Sequence, residues 1–237
     1  MSRDSLERKL STVKPTNFFE TYRANRDNFD EAFSVETEGL HPSNYGAVRQ
    51  RVFEDVLKIA PESHSEEIFI DIGCGKGRAL LLAATRPFKK IIGVEHSAEL
   101  CKVAIENVRI ARPKIDRPER IEIRWDDAFQ WIEKHWPKAS PVFLFMYGPF
   151  GRDTFSKRPK AYEEFFEIIS RKSKKSKTAL RLALVNPFEN SRNVLGQFDF
   201  QIVEEHDPDR LDANLRLLTK WQLFTLGAPR NLKSSSI

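Results

Sequence analysis

Eight residues, Asp71-Ile72-Gly73-Cys74-Gly75-Lys76-Gly77-Arg78, constrain this chain more than any other stretch. They stand between a strand-like apolar run, Ile68-Phe69-Ile70, and a run of good helix formers, Leu80-Leu81-Leu82-Ala83. Three glycines at alternate positions let the backbone turn tightly and leave no side chain between the main chain and a ligand. The helix that opens there presents amide N–H groups and the positive end of its dipole, which suits a carboxylate or a phosphate. Strand, glycine loop and helix in this order predict the first unit of a sheet wound by crossover helices.

The rest of the chain repeats the alternation. Apolar runs at 68–72, 91–95, 121–124, 142–147 and 179–185 read as strands, and the segments 77–85, 98–111, 128–135 and 161–172 read as helices between them. Ahead of the loop, 45–60 carries Val48, Val52, Phe53, Val56, Leu57 and Ile59 at helical spacing, with Pro61 just beyond the end. The runs 198–205 and 217–226, joined by a polar stretch at 207–213, read as an antiparallel pair closing the sheet edge. The basic run 171–177 reads as a solvated helix end and loop.

A length of 237 residues, 40% of them hydrophobic, suffices for one core without a second domain. The expected division is an N-terminal extension over 1–44, one catalytic domain over 45–230 and a frayed tail over 231–237. The extension is polar with scattered aromatics at Phe18, Phe19, Tyr22, Phe29 and Phe33, and reads as short helices and loops packed on the domain or lidding it. The charged fraction of 31% and the lack of an apolar run of about 20 residues argue against a membrane span, and the polar N-terminus against export, so the cytoplasm is expected. Cys74 and Cys101 have neither disulfide nor metal spacing, and the five histidines show no pairwise metal spacing, so no metal is expected. A net charge of +5 is compatible with an anionic partner but falls short of a dedicated nucleic-acid binder.

Dinucleotide enzymes use a related loop, G-x-G-x-x-G. Here Gly77 arrives one place early, and Arg78 fills the position of the third glycine. Asp71 would repel a pyrophosphate but would attract an ammonium group. S-adenosylmethionine carries an ammonium and a carboxylate at one end, and an acid beside a ring of backbone amides suits both. Glu95 ends the second strand roughly 20 residues past the loop, where an acid accepts from ribose hydroxyls, and His96 follows it at the same strand end. After the third strand comes Asp126-Asp127-Ala128: Asp127 is assigned to the adenine amino group with Ala128 against the ring, and Asp126 to the helix cap.

These segments, Asp71 to Arg78, Gly93-Val94-Glu95 and Asp127-Ala128, resemble successive motifs of the class I S-adenosylmethionine-dependent methyltransferases over about 45–226. The resemblance implies a Rossmann-like α/β fold: a seven-stranded, mostly parallel sheet with an antiparallel last strand and helices on both faces. It implies S-adenosylmethionine as cofactor, held by Asp71, Gly73, Gly75, Glu95 and Asp127; Cys74 and Gly77 of the same loop, with His96 and Ala128 beside the two later acids, join the candidate set by position. Asn44-Tyr45 with its helix resembles the lead-in of the non-SET histone-lysine methyltransferases and their bacterial relatives, which adds Tyr45 to that set.

Methyl transfer from a sulfonium is an in-line displacement in which the protein positions the acceptor. The fourth strand ends in Tyr147-Gly148-Pro149-Phe150, at the place of the Asn/Asp-Pro-Pro-Tyr/Phe motif of amino-directed methyltransferases. Pro149 and Phe150 are retained; the polar first residue and the first proline are not. Tyr147 and Phe150 are therefore expected to shape the acceptor site, with Asn186-Pro187-Phe188 as a wall of it. The expected function is methylation of a nitrogen or oxygen acceptor, a protein side chain or small molecule ahead of a nucleic acid. The rival readings are a methyltransferase-like binding module for RNA or protein and a nicotinamide-dependent oxidoreductase.

Overall fold

A computed structural model describes residues 28–37, 46–58, 64–150, 158–188, 190–206 and 220–226. The strands β1 (Ile68–Ile72), β2 (Lys90–Glu95), β3 (Ile121–Trp125), β4 (Val142–Tyr147), β5 (Leu180–Val185), β6 (Gln201–His206) and β7 (Trp221–Leu226) form one sheet in the order β3-β2-β1-β4-β5-β7-β6. The first five run parallel, and β7 lies antiparallel to both β5 and β6. The expected seven-stranded α/β fold is the observed one. Strand order reverses at β1, which has β2 on one side and β4 on the other, so the β1 loop opens at the sheet's switch point, where such folds bind ligands.

The helices are α1 (Phe29–Phe33), α2 (Gln50–Lys58), α3 (Arg78–Ala84), α4 (Ala98–Ala111), α5 (Ala128–His135), α6 (Ala161–Ser176) and α7 (Ser191–Gly196). Successive strand residues face opposite sides of the sheet, which builds two cores. Phe69, Ile91, Phe143, Phe145 and Val185 meet α2 and α3 on one face, and Ile70, Val94, Leu144 and Leu184 meet α5 and α6 on the other. Every residue of α3 is buried. A helix apolar on all sides needs cover on all sides, and α1, α2 and the 35–37 segment supply it: Phe29, Val35, Val48, Phe53 and Val56 join the same core.

Several boundaries differ from the sequence reading. The helix expected over 45–60 begins at Gln50, and just ahead of it the Val48 carbonyl accepts from Arg78 Nε at 2.7 Å; Tyr45, Ile59 and Ala60 lie outside the described residues. The basic run continues α6 to Ser176, with Lys177 leaving the helix in the left-handed region (φ 54°). Glu133 of α5 accepts from the run's Arg171 at 2.7 Å and pairs with its Lys172 at 3.2 Å. The short α7 was not anticipated. Most of the expected extension, 1–27 and 38–44, and the tail over 231–237 lie outside the described residues.

At the opposite end of the sheet from the glycine loop, Glu67 sits 7% exposed between His64 and Arg181. His64 Nδ1 lies 2.8 Å from Glu67 Oε2, and Arg181 Nε donates to Oε1 at 2.9 Å while its Nη2 donates to Oε2. Burial opposes the Glu67 charge, but the His64 hydrogen bond and the Arg181 guanidinium outweigh it, holding the carboxyl below its usual range. With a depressed folded value, the stabilisation is present above the unfolded carboxylate range and is lost as pH falls through the folded value. Arg181→Met is expected to cost about 1.5–3 kcal/mol at neutral pH, since it strips a charged hydrogen bond from a buried carboxylate. Urea unfolding at pH 7 and at pH 3 checks this: the difference between variant and wild type shrinks at the lower pH.

Candidate active site

Asp71 is the penultimate residue of β1, within its buried stretch, and faces the same side of the sheet as Phe69. Its register partners are Gly93 on β2 and Phe145 on β4, so no neighbouring polar side chain in the sheet meets it. The residue is 3% exposed, and among the described residues no donor bonds to its carboxyl. Burial, with the Glu95 charge adding to it, pushes its pKa well above the usual carboxylate range. A buried acid without a partner costs stability, and a cation at this point would offset that cost.

The loop after β1 is folded by its own amides. Gly73 and Cys74 both donate to the Val94 carbonyl, at 2.8 and 3.2 Å, and Gly77 donates to Cys74 at 2.8 Å. Gly75 donates to Glu95 Oε2 at 2.8 Å. These four N–H groups therefore shape the loop. The Cys74 side chain turns inward, where a Cβ on Gly93 would stand 2.7 Å from its sulfur and 2.6 Å from Leu80 Cδ1. A side chain at position 93 would therefore force Leu80 and Cys74 to shift where β2 passes the loop. Burial, with the Asp71 and Glu95 charges, raises the Cys74 thiol well above its usual range, so it serves as packing, not as a nucleophile.

Glu95 ties β2 to this loop. Its Oε1 accepts from Ser97 N–H at 2.7 Å while Oε2 holds Gly75. Each carboxylate oxygen accepts about two hydrogen bonds, which leaves capacity for hydroxyl donors. His96 is exposed, and its carbonyl accepts from the Trp125 indole at 2.9 Å. At the end of β3 the cap assignment is reversed. Asp127, not Asp126, caps α5 by accepting from Gln130 N–H at 2.9 Å, while Asp126 Oδ1 accepts from the Asp127 amide at 2.8 Å. Asp127 is in extended conformation before the helix, the geometry a cap requires. Ala128 opens α5, half-buried. Asp71, Glu95 and Asp127 thus stand at the ends of three adjacent strands.

The turn after β4 closes the other side. Gly73 has φ 74°, and a Cβ there would lie 3.0 Å from Pro149 Cβ, so the Tyr147–Phe150 turn packs directly on the glycine loop. Tyr147 pairs with Val185 in register at the ends of β4 and β5. Tyr147 is half-buried, and its hydroxyl lies 3.9 Å from where a Gly46 Cβ would stand. Phe150 is 7% exposed, stacked on Phe129 (5.2 Å) and edge-on to Tyr162 (4.9 Å); Phe188 stacks on the same tyrosine (4.4 Å). The two turns are therefore joined through Tyr162, whose hydroxyl burial pushes up to about 12.

The profile of the family described as "Putative methyltransferase" matches residues 65–220, well over half of the chain. The chain belongs to that family. It is an S-adenosylmethionine-dependent methyltransferase of class I, and the oxidoreductase alternative falls away. No curated protein matches it. Among solved structures, a human methyltransferase 10 domain containing protein is similar at 13% identity and a TM-score of 0.59, over 89% of this chain and 99% of that one. The precorrin-6y C5,15-methyltransferase of Geobacter metallireducens is similar at 13% identity and 0.55, over 84% and 95%. An RNA methyltransferase of Salinibacter ruber in complex with S-adenosyl-L-homocysteine is similar at 15% and 0.51, over 79% and 99%. At these identities the structural matches speak for the fold.

In this methyltransferase three positions matter that sequence reading did not single out for the purpose. Ser97 fixes Glu95, Pro149 seals the glycine loop, and Asn107 of α4 bonds the Lys76 carbonyl at 3.0 Å. Only Pro149 carried a signal, its place just after a strand end. Among the described residues no group of three metal-ligating side chains gathers, and no helix is long and apolar enough to cross a membrane.

Proposed function

We propose that this enzyme methylates a nitrogen or oxygen acceptor that sits beside Tyr147, with the donor between the glycine loop and the ends of β2 and β3. The observation that carries this reading is the contact of Gly73 with Pro149, which packs the turn after β4 against the loop after β1. Any methyl group held over Asp71 then lies next to the Tyr147–Phe150 turn.

In this reading Asp71 pairs with the donor's ammonium, which supplies the missing cation for its buried carboxyl. Glu95 accepts from the ribose hydroxyls with the lone pairs left by Gly75 and Ser97. Asp127 uses the oxygen that does not cap α5 for the adenine amino group, while Ala128 and His96 flank the ring. Gly73, Cys74, Gly75 and Gly77 contribute close backbone approach, and Tyr45 the N-terminal side. When bound, S-adenosylmethionine supplies an activated methyl carbon; the protein orients the acceptor and excludes water. The Tyr147 hydroxyl and the Gly148 carbonyl orient the acceptor, and Phe150 holds the turn from behind through Phe129 and Tyr162. An acceptor that is a protein side chain or a small molecule fits the modest net charge better than a long nucleic acid does.

Labelled-methyl transfer into fractionated cell extract tests the reading. Tyr147→Phe and Phe150→Ala are each expected to lower turnover about 10- to 100-fold, the size of effect small misplacements of reacting groups produce, while S-adenosylhomocysteine still binds. Unchanged turnover in both variants removes them from acceptor positioning.

A further inference from the structure

The glycine loop is held from outside as well as by its own amides. Arg78, the first residue of α3, is 2% exposed. Its Nη1 donates to Asp30 Oδ1 and to Thr37 Oγ1, both at 2.9 Å, its Nε donates to the Val48 carbonyl at 2.7 Å, and its guanidinium lies 4.6 Å from the Phe29 ring centre. Asp30 in turn accepts from the Thr37 amide at 2.8 Å and from the Thr37 hydroxyl, closing the 30–37 segment on itself.

One turn of loop away, Asn107 makes a second latch. It is 3% exposed; its Oδ1 accepts from the Glu36 amide at 3.1 Å, and its Nδ2 donates to the Glu36 carbonyl at 3.1 Å and to the Lys76 carbonyl at 3.0 Å. A side-chain amide that pairs both backbone groups of one residue fixes that residue's position as a strand neighbour would. Lys76 Nζ lies 3.9 Å from Glu36 Oε1 as well. Residues 76 and 78, on either side of Gly77 with its φ of 85°, are thus both bonded to the segment 30–37 or to the side chain that grips it.

We propose that the segment 28–37 is a supporting wall of the donor site, and that Asp30, Arg78 and Asn107 are positioning residues that set the glycine loop's shape and so the affinity for the donor. The inference rests on the reading of 71–78 as the donor loop. It assigns Arg78 a role unlike that of the small residue in dinucleotide loops: a buried cation that draws a segment from 48 positions upstream onto the loop. Loop shape and the docking of 28–37 are then one equilibrium, so whatever stabilises one stabilises the other.

Asp30→Asn, which keeps the side chain's shape, and Asn107→Ala test this, with Glu133→Gln as a control on an exposed pair of α5. Each protein is followed by calorimetric titration with S-adenosylhomocysteine, by amide hydrogen exchange over 73–78, and by urea unfolding. Both test variants are expected to bind about tenfold more weakly, as coupling of this kind typically gives, and to exchange the loop amides faster, with one cooperative unfolding transition retained. In the wild type, S-adenosylhomocysteine is expected to slow exchange over 30–37 too. A merely structural role lowers the unfolding midpoint but leaves affinity and loop exchange at the wild-type and control values, and that result in either folded variant overturns the proposal. If the wild type binds no S-adenosylhomocysteine, the donor-site reading fails, and the exchange of 73–78 in the variants still decides whether 28–37 holds the loop.

Discussion

Asp71→Asn is expected to weaken donor binding roughly 30- to 1000-fold, since removing one member of a buried charge pair costs about 2–4 kcal/mol. The same change is expected to raise the unfolding midpoint of the ligand-free protein. Both follow from one fact: the carboxyl is buried without a donor among the described residues, and burial and Glu95 raise its pKa. A raised folded value means that the stability penalty appears as pH rises above the unfolded value of 3.8 and is complete above the folded value. Donor affinity runs the other way. It falls as pH drops through the raised folded value, because a protonated carboxyl cannot pair with an ammonium. Titration calorimetry between pH 5 and pH 8, run on wild type and Asp71→Asn, checks the pair of effects; a variant that binds as tightly as the wild type contradicts the assignment.

Gly73→Val is expected to cost about 2–4 kcal/mol of stability, from a left-handed backbone that a branched residue resists and from a Cβ forced against Pro149. At φ 74° and with 3.0 Å to the Pro149 Cβ, a side chain at position 73 strains the loop and forces the turn to shift. Because the two segments touch there, donor affinity and turnover are both expected to fall, unlike in Tyr147→Phe, where affinity is kept. Gly148→Ala is the control. Its φ of 54° carries the backbone cost, but nothing lies within 4 Å of the added carbon, so the effect is confined to about 1 kcal/mol. Urea unfolding and donor titration of both variants separate the two contributions.

The sheet was legible because its strands are apolar runs cut by sharp turn and cap signals; 68–72 and 142–147 match β1 and β4 residue for residue. The three acids of the site were legible for a related reason. A charged residue at the end of an apolar strand stands out against what precedes it. Their local partners were not. Asp126 and Asp127 are adjacent acids, and which one caps α5 depends on backbone angles that composition does not encode. Glu95 could be read as facing a ligand, but its bonds to Gly75 and Ser97 come from how β2 ends beside the loop. The least legible feature was the partnership of Arg78. The residue stood out as a misfit in a glycine pattern, yet its carboxylate lies 48 positions away in a segment with no sustained pattern, and only the burial of α3 on all sides demands that such a segment exist. Phe150 was expected to shape the acceptor site; it packs among Phe129, Tyr162 and Phe165, so its influence on the turn passes through core contacts.

The central claim is that the glycine loop, Asp71 and Glu95 form the donor site of a methyltransferase. Calorimetric titration of the full chain with S-adenosylhomocysteine at pH 7.5 tests it most directly. A single site of micromolar affinity, lost in Asp71→Asn, is the predicted result. No heat of binding at high micromolar ligand, or binding that persists undiminished without the Asp71 charge, contradicts it.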